Sequence, residues 1–262
     1  MKMATGAKIP FVAPQTGAST LYQPSNRYVF NVRARYQDEL LVSIKHFTLV
    51  NQRRLALIYV DDAFGRDGAE GYRAGIQAAG ATSVYEGSYL ADKPNFAKHV
   101  DRLVKTNPQA VICIGSAKPV AELIALARQA HVSASFMTLS NNASAGFARE
   151  LGPYVRGVIV SQVTPPPGTQ TTRMSRELNQ LLAGRKADVS SAAMEAYGSA
   201  KVLVEGLRRA GPNLTREGFV QALESMRHFD IGGLEVDYST TKRTGSNYVE
   251  LSILTDDGKY RR

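Results

Sequence analysis

The stretch LALIYVDDAFGRDGAEG, residues 55–71, joins an apolar run to two aspartates and three glycines. The apolar run predicts a buried strand, and a helical pattern starts at Gly68. A strand, a glycine turn and a helix also open dinucleotide-binding units, which hold phosphate at the helix N-terminus. Here the spacing is G-x-x-G-x-x-G, and Asp61-Asp62 would repel a phosphate unless a metal intervened. The stretch therefore predicts a strand–helix unit and argues against a bound nucleotide.

The same alternation continues as far as residue 163. Helical stretches are predicted at 68–79, 95–106 and 117–130; Gly80 ends the first, and Ser116 is placed to cap the third. Strands that alternate with helices in this way form a parallel sheet covered by helices on both faces, so the fold class is α/β. The predicted strands are LALIYV (55–60), TSVYEGSYL (82–90), AVICIG (110–115), SFMTLS (135–140) and GVIVSQV (157–163).

The regular alternation of strands and helices ends after residue 163. The proline-rich segment TPPPGTQTT (164–172) can neither continue a strand nor start a helix, and it indicates a crossing between two bodies. The pattern of residues 1–32 is typical of strands and loops, and that of residues 249–254 is typical of a strand. Helices follow the crossing at 173–183, 191–210 and 215–226, the last with Thr215 as its N-cap. These helices have few strands to pack on. Either a partner covers them, or the sheet that covers them precedes residue 1, and we favour the second interpretation.

The composition narrows the class of protein. A chain of 262 residues with 44% hydrophobic and 21% charged residues is typical of a soluble globular protein. The net charge is +9, but the basic residues are scattered and form no stripe of the kind that reads nucleic acid. No apolar run approaches the ~20 residues that cross a bilayer. The N-terminus lacks the apolar core of a secretory signal, so either the chain stays inside the cell or its true beginning lies upstream.

Local signatures of catalysis and of metal binding are missing from the sequence. There is no G-x-S-x-G elbow and no phosphate-binding G-x-x-x-x-G-K-[ST] motif. Cys113 lies in an apolar run and is expected to be a core residue. We therefore predict no cofactor, no metal and no catalytic residue; Asp61 and Asp62 fit helix capping or the surface better than they fit an enzyme site. The four histidines have no metal-ligand spacing: His46, His99, His131 and His228.

Several motifs occur together in an order that resembles a known family. These are IPFVAPQTGAS (9–19), YVFNVRARYQDEL (28–40), RRLALIYVDDAFG (53–65) and AYGSAKVLVEGLRRAGPNLTREGFVQALESMRHFDIGG (196–233). The combination resembles type I periplasmic solute-binding proteins, in the branch of branched-chain amino-acid (Leu/Ile/Val) binding components of ABC transporters. The resemblance implies a two-lobed fold with parallel sheets flanked by helices.

Family members begin with a secretory signal and more of the first lobe's sheet, so the resemblance implies an incomplete first lobe here. The first lobe would consist of residues 1–32 and 165–235, and the second of residues 33–164 and 236–262.

The resemblance also implies a function. The chain would be the periplasmic, solute-binding component of an ABC importer, would bind a small amino acid or organic acid between two lobes, and would partner the transporter permease. It implies neither an enzyme nor a nucleic-acid partner. Two alternatives stay open: a ligand-sensing module of the same fold, and a truncated fragment that binds nothing.

Candidate ligand residues follow from the family's pattern. In PQTGAS, Gly17 and Ala18 would let backbone N–H groups approach a ligand, and the Thr16 hydroxyl could donate to a carboxylate. Phe64 stands where relatives carry a tyrosine facing the ligand, and its ring could cover an apolar portion. Ser116 could cap its helix, touch the ligand, or do both. For Thr16 to Ala18 the alternative is an ordinary polar turn, and for Phe64 a packing contact at the helix start.

The stretch SFMTLSNNAS departs from the family pattern. Amino-acid binders of the family place a glutamate just after this strand to pair with the ligand's ammonium group. Ser140 and Asn141 stand there instead and are the candidate ligand residues. A serine cannot offset the desolvation of a buried ammonium as a carboxylate would. A neutral or anionic ligand, such as an organic or aromatic acid, therefore competes with an amino acid.

Overall fold

The structure is a computed structural model that describes residues 2–185 and 189–262. The helices are α1 (Lys2–Gly6), α2 (Tyr36–Leu49), α3 (Ala63–Ala79), α4 (Ala97–Thr106), α5 (Ala117–Gln129), α6 (Ala145–Leu151), α7 (Arg173–Leu182), α8 (Ser191–Ala210) and α9 (Arg216–Glu224). The strands are β1 (Phe11–Val12), β2 (Val29–Phe30), β3 (Arg54–Val60), β4 (Thr82–Tyr89), β5 (Ala110–Ile114), β6 (Ser135–Thr138), β7 (Ile159–Gln162), β8 (Phe229–Asp230), β9 (Glu235–Val236), β10 (Glu250–Leu254) and β11 (Tyr260–Arg261).

The chain divides into two compact units. Unit 1 comprises Met1–Arg35 and Val163–Tyr248, and unit 2 comprises Tyr36–Gln162 and Val249–Arg262. The chain therefore passes from one unit to the other after Arg35, after Gln162 and after Tyr248. Residues 236–248, which the sequence analysis assigns to the second lobe, lie in unit 1.

Unit 2 contains the α/β sheet that the sequence predicts. Within the described residues its strands run in the order β11-β10-β7-β6-β5-β3-β4. The strands from β3 to β7 pair in parallel, whereas β10 pairs antiparallel with both β7 and β11. Successive residues of β3 face opposite sides of the sheet. Leu55 and Leu57 pack with α2 and α3, and Ala56 and Ile58 with α4 and α5. The parallel sheet with a helix layer on each face is thus confirmed.

The glycines of the opening stretch allow close packing. A Cβ on Gly68 would lie 2.6 Å from Ile114 Cδ1 of β5, and one on Gly71 would lie 2.8 Å from Gln37 Cγ of α2. Helix α3 therefore approaches both the sheet and α2 more closely than side chains would permit. The predicted start at Gly68 was wrong: α3 begins at Ala63, because Asp62 caps it by accepting from Gly65 N at 2.8 Å.

Unit 1 is built from α7, α8 and α9 with short strand pairs. In its described residues β1 pairs in parallel with β2, and β8 antiparallel with β9. Thr215 caps α9, as predicted, by accepting from Gly218 N at 3.0 Å. Residues 236–248 belong here because Tyr238 packs edge-to-face on Phe30 and its hydroxyl donates to the Asn31 carbonyl at 2.8 Å.

Candidate functional site

The loops that follow β3, β5 and β6 carry most of the predicted ligand residues of unit 2. Because these strands are parallel, their carboxyl ends reach the same edge of the sheet. The Asn141 and Asn142 side-chain amides each donate to the Gly115 carbonyl at 3.0 Å. The structure therefore brings the Ser140–Asn141 loop beside the residue that precedes Ser116. We call this region the carboxyl edge of unit 2.

The two aspartates after β3 have separate structural roles. Asp62 caps α3, as the sequence analysis preferred. Asp61 forms an exposed ion pair with Arg66, with Nη1 and Oδ1 2.6 Å apart. Among the described residues, no group of three His, Cys, Asp or Glu side chains is placed to hold a metal ion.

Phe64 is half-buried at the start of α3. Its ring meets Tyr36 edge-to-face, with centroids 4.8 Å apart and planes at 61°. The ring also packs against the apolar clusters on both sides of the sheet. The packing interpretation of Phe64 therefore has direct support, and a ligand contact by its remaining surface stays a prediction.

Ser116 occupies the N-cap position of α5, but its hydroxyl makes no capping hydrogen bond, so the predicted capping role was wrong. An N-cap hydroxyl accepts from the N–H of the second or third helical residue. The third residue here is Pro119, which has no N–H. The Ser116 side chain is exposed at the carboxyl edge, and a ligand contact there stays a prediction.

Ser140 is held by a residue that the sequence analysis missed. Glu39 of α2 accepts from Ser140 N at 2.9 Å, from Ser140 Oγ at 3.0 Å and from Ser161 Oγ at 2.5 Å. The Glu39 side chain is 0% exposed. A signal was present: Glu39 lies among the residues that form the buried face of α2, namely Tyr36, Leu40, Ser43, Ile44 and Phe47. A carboxylate on such a face requires hydrogen-bond partners in the core.

Thr16, Gly17 and Ala18 lie in unit 1, in the turn between β1 and β2. Ala18 N donates to Thr16 Oγ1 at 3.3 Å, and Leu21 N donates to the Ala18 carbonyl at 3.0 Å. The Thr16 hydroxyl thus accepts a bond within its own turn, as in the polar-turn interpretation, and it retains one proton to donate.

Tyr89 is a second residue of the carboxyl edge that the sequence analysis did not single out. It ends β4, it is 5% exposed, and a Cβ on Gly115 would overlap its hydroxyl. Burial raises the pKa of Tyr89 well above its ordinary value, and burial likewise raises the pKa of the Cys113 thiol. Both groups therefore stay protonated at neutral pH. The edge presents hydroxyls, amides, backbone groups and aromatic rings, together with the exposed Asp61–Arg66 ion pair, and this set of groups suits binding.

Unit 2 is a parallel α/β unit that the chain enters and leaves several times, and polar loops lie at its carboxyl edge. This is the architecture of the type I periplasmic binding fold. The model of the periplasmic binding protein family matches residues 1–259. The chain therefore belongs to this family, whose fold is that of solute-binding proteins. Among the described residues, no helix has the length and apolar character required to cross a membrane.

Solved structures agree with this assignment. A substrate-binding periplasmic protein from Ralstonia solanacearum is 30% identical, with a TM-score of 0.87 over 99% of this chain and 74% of its own. A possible leucine/isoleucine/valine-binding protein from Rhodopirellula baltica is 23% identical, with a TM-score of 0.90 over 99% and 73%. A branched chain amino acid ABC transporter protein from Thermus thermophilus with bound valine is 18% identical, with a TM-score of 0.86 over 99% and 72%. A comparison with curated proteins found no match.

Proposed function

We propose that this chain is the periplasmic solute-binding component of an ABC importer, and that it binds a small amino acid or organic acid. The observation that carries the proposal is the carboxyl edge of unit 2, where Asn141 and Asn142 join the loop after β6 to Gly115 at the end of β5. Loops at this end of a parallel sheet are where α/β proteins bind small molecules. The transporter permease is the expected partner.

Each candidate residue offers a defined contact. The Thr16 hydroxyl proton and the backbone N–H groups of its turn suit a ligand carboxylate. The Phe64 ring suits an apolar portion. The Ser116 hydroxyl, free of a capping bond, can donate or accept.

The surroundings of Ser140 favour an amino acid over a purely anionic ligand. Its hydroxyl proton is directed at the Glu39 carboxylate, so the Ser140 oxygen acts as an acceptor. An acceptor oxygen with a carboxylate behind it suits a ligand ammonium better than it suits a second carboxylate. Glu39 thus places beside the loop a carboxyl group that the loop's own sequence lacks.

Binding would work by population shift. The ligand would shift the population toward the conformation that the transporter recognises. The size of the shift is set by the difference between the ligand's affinities for the two conformations.

Thermal unfolding with and without ligand tests the proposal. L-valine and benzoate represent the amino-acid and organic-acid classes. A ligand that binds only the native state adds about 2.7 kcal/mol of stability at a hundredfold excess over its Kd. We expect L-valine to raise the unfolding midpoint more than benzoate does. A shift for benzoate alone would contradict the argument from Glu39.

A matched pair of variants then locates the site. Ser140 follows the carboxyl end of β6, whereas Ser135 begins the same strand and its Oγ accepts from Gln52 Nε2 at 3.1 Å. Ser140→Ala is expected to reduce the ligand-induced shift, and Ser135→Ala to leave it unchanged. If neither probe stabilises the wild-type chain, or if both variants respond alike, the proposed site is wrong.

A further inference from the structure

The Glu39 carboxylate joins three parts of unit 2 that are remote in sequence. It lies in the first turn of α2, and its donors come from the loop after β6 and from β7. Ser140 gives it both a backbone and a side-chain bond, with donor–acceptor distances of 2.9 and 3.0 Å. Hydrogen bonds to an ionised acceptor are about twice as strong as neutral ones.

Two of these three parts border passages of the chain between the units. Tyr36, which begins α2, is the first residue of unit 2 after one passage, and Gln162, which follows Ser161, is the last residue before the next. The third part, Ser140–Asn142, is a single 3-10 turn whose preceding residue Leu139 provides no side-chain cap. Asn141 and Asn142 of this turn are held by the Gly115 carbonyl. Glu39 bonds Ser140 itself, and Glu39 in turn is bonded to β7.

We infer that Glu39 is a positioning residue: it holds the Ser140 loop in place and connects that loop, through Ser161, to the β7 segment that leads out of unit 2. The inference about loop position stands on the hydrogen bonds alone. Its consequence for ligand affinity rests on the proposed function.

Amide hydrogen exchange at Ser140, followed by NMR without ligand, tests the positional claim. Glu39→Gln keeps the shape of the side chain and removes its charge. We expect the Ser140 amide to exchange roughly tenfold faster in this variant, since a bond to a charged acceptor is replaced by a neutral one. Ser161→Ala should also speed this exchange, because Ser161 donates to the Glu39 carboxylate that holds Ser140. The factor should be smaller, since Ser161 acts on Ser140 only through that carboxylate. In the Glu39→Gln background Ser161→Ala should speed exchange by a smaller factor than in the wild type, because its bond to a neutral acceptor is already weaker.

Ser43→Ala is the matched control. Ser43 is buried on the same helix, and its hydroxyl donates to the Glu39 backbone carbonyl at 2.7 Å. Removing it deletes a buried hydroxyl without touching the carboxylate, so exchange at Ser140 should remain at the wild-type rate. If Glu39→Gln and Ser43→Ala change exchange at Ser140 equally, or if Ser161→Ala acts the same in both backgrounds, the inference is overturned. Should Glu39→Gln not fold, Ser161→Ala alone against Ser43→Ala decides.

Calorimetric titration with L-valine and with benzoate tests the consequence for binding. We expect Glu39→Gln to weaken the Kd of the bound probe roughly tenfold, and Ser43→Ala to leave it unchanged. If neither probe binds the wild type while the exchange results hold, the proposed function fails and the positional role stands. If exchange accelerates while affinity is unaltered, the link between loop position and ligand is refuted.

Discussion

Replacing Gly65 by alanine is expected to destabilise unit 2, although alanine favours helices. Gly65 lies in the first turn of α3, where the helix leaves the end of β3. A Cβ at this position would overlap the Val60 carbonyl oxygen and lie 2.8 Å from the carbonyl carbon. An ordinary contact between carbon atoms is about 3.5–4.0 Å. Cβ contacts under 3.0 Å essentially never occur, so backbone atoms would have to move by at least about 1.3 Å to clear the oxygen.

The size of the effect follows from two opposing contributions. Overpacking a closely packed site costs about 1–3 kcal/mol, and the obstructing atoms here are backbone, which places the cost at about 3 kcal/mol. Replacing glycine by alanine within a helix contributes about 1 kcal/mol of stability. The free energy of unfolding should therefore fall by about 2 kcal/mol in Gly65→Ala.

Gly146→Ala provides the control within the same unit. Gly146 lies in α6, and the nearest atom to an added Cβ is Ser144 Oγ at 3.5 Å, an ordinary contact. This variant should gain about 0.5 kcal/mol. Urea unfolding at constant temperature measures both, with an unchanged slope showing that the two-state analysis holds. A Gly65→Ala protein at least as stable as the wild type would refute the argument that close approach requires glycine there.

Three further outcomes can be measured by urea unfolding. Ser116→Ala should lower the free energy of unfolding by less than about 0.5 kcal/mol. Ser144→Ala loses a capping bond from Phe147 N and should lower it by about 1 kcal/mol. Equal losses in the two variants would contradict the assigned caps. Phe64→Ala should cost about 2 kcal/mol because it removes the ring contact with Tyr36, and a change within 0.5 kcal/mol would show that the ring is not packed. Burial raises the pKa of Tyr260 from 10.0 to about 12. The stability that the neutral Tyr260 side chain contributes is therefore complete below pH 10 and is lost as the pH rises toward 12. Tyr260→Phe should flatten this alkaline decline of the unfolding free energy, and an unchanged pH profile would contradict the role of Tyr260.

Part of the fold and of the candidate site could be predicted because the signals are local. The Asp62 cap, the burial of Cys113 and the Thr215 cap each depend on residues within a few positions along the chain, and all three are found as expected. The Ser116 cap failed partly for a local reason: Pro119 removes one of the two N–H groups that a cap can bind, and the hydroxyl makes no bond to the other, that of Lys118.

The sequence by itself determined the parallel α/β class of unit 2, the order of its strands β3 to β7, and the three helices between them, α3, α4 and α5, apart from the start of α3. These properties follow from period, caps and glycines, which act over one or two turns. It did not predict α2 or α6. Only the tertiary structure decided that α3 packs closely on α2, that β10 joins the sheet antiparallel, and that Glu39 meets Ser140 and Ser161 across 101 and 122 positions of sequence. A buried carboxylate requires donors, but no local pattern specifies which remote residues provide them. That choice is fixed only when the sheet brings the carboxyl ends of its strands beside α2.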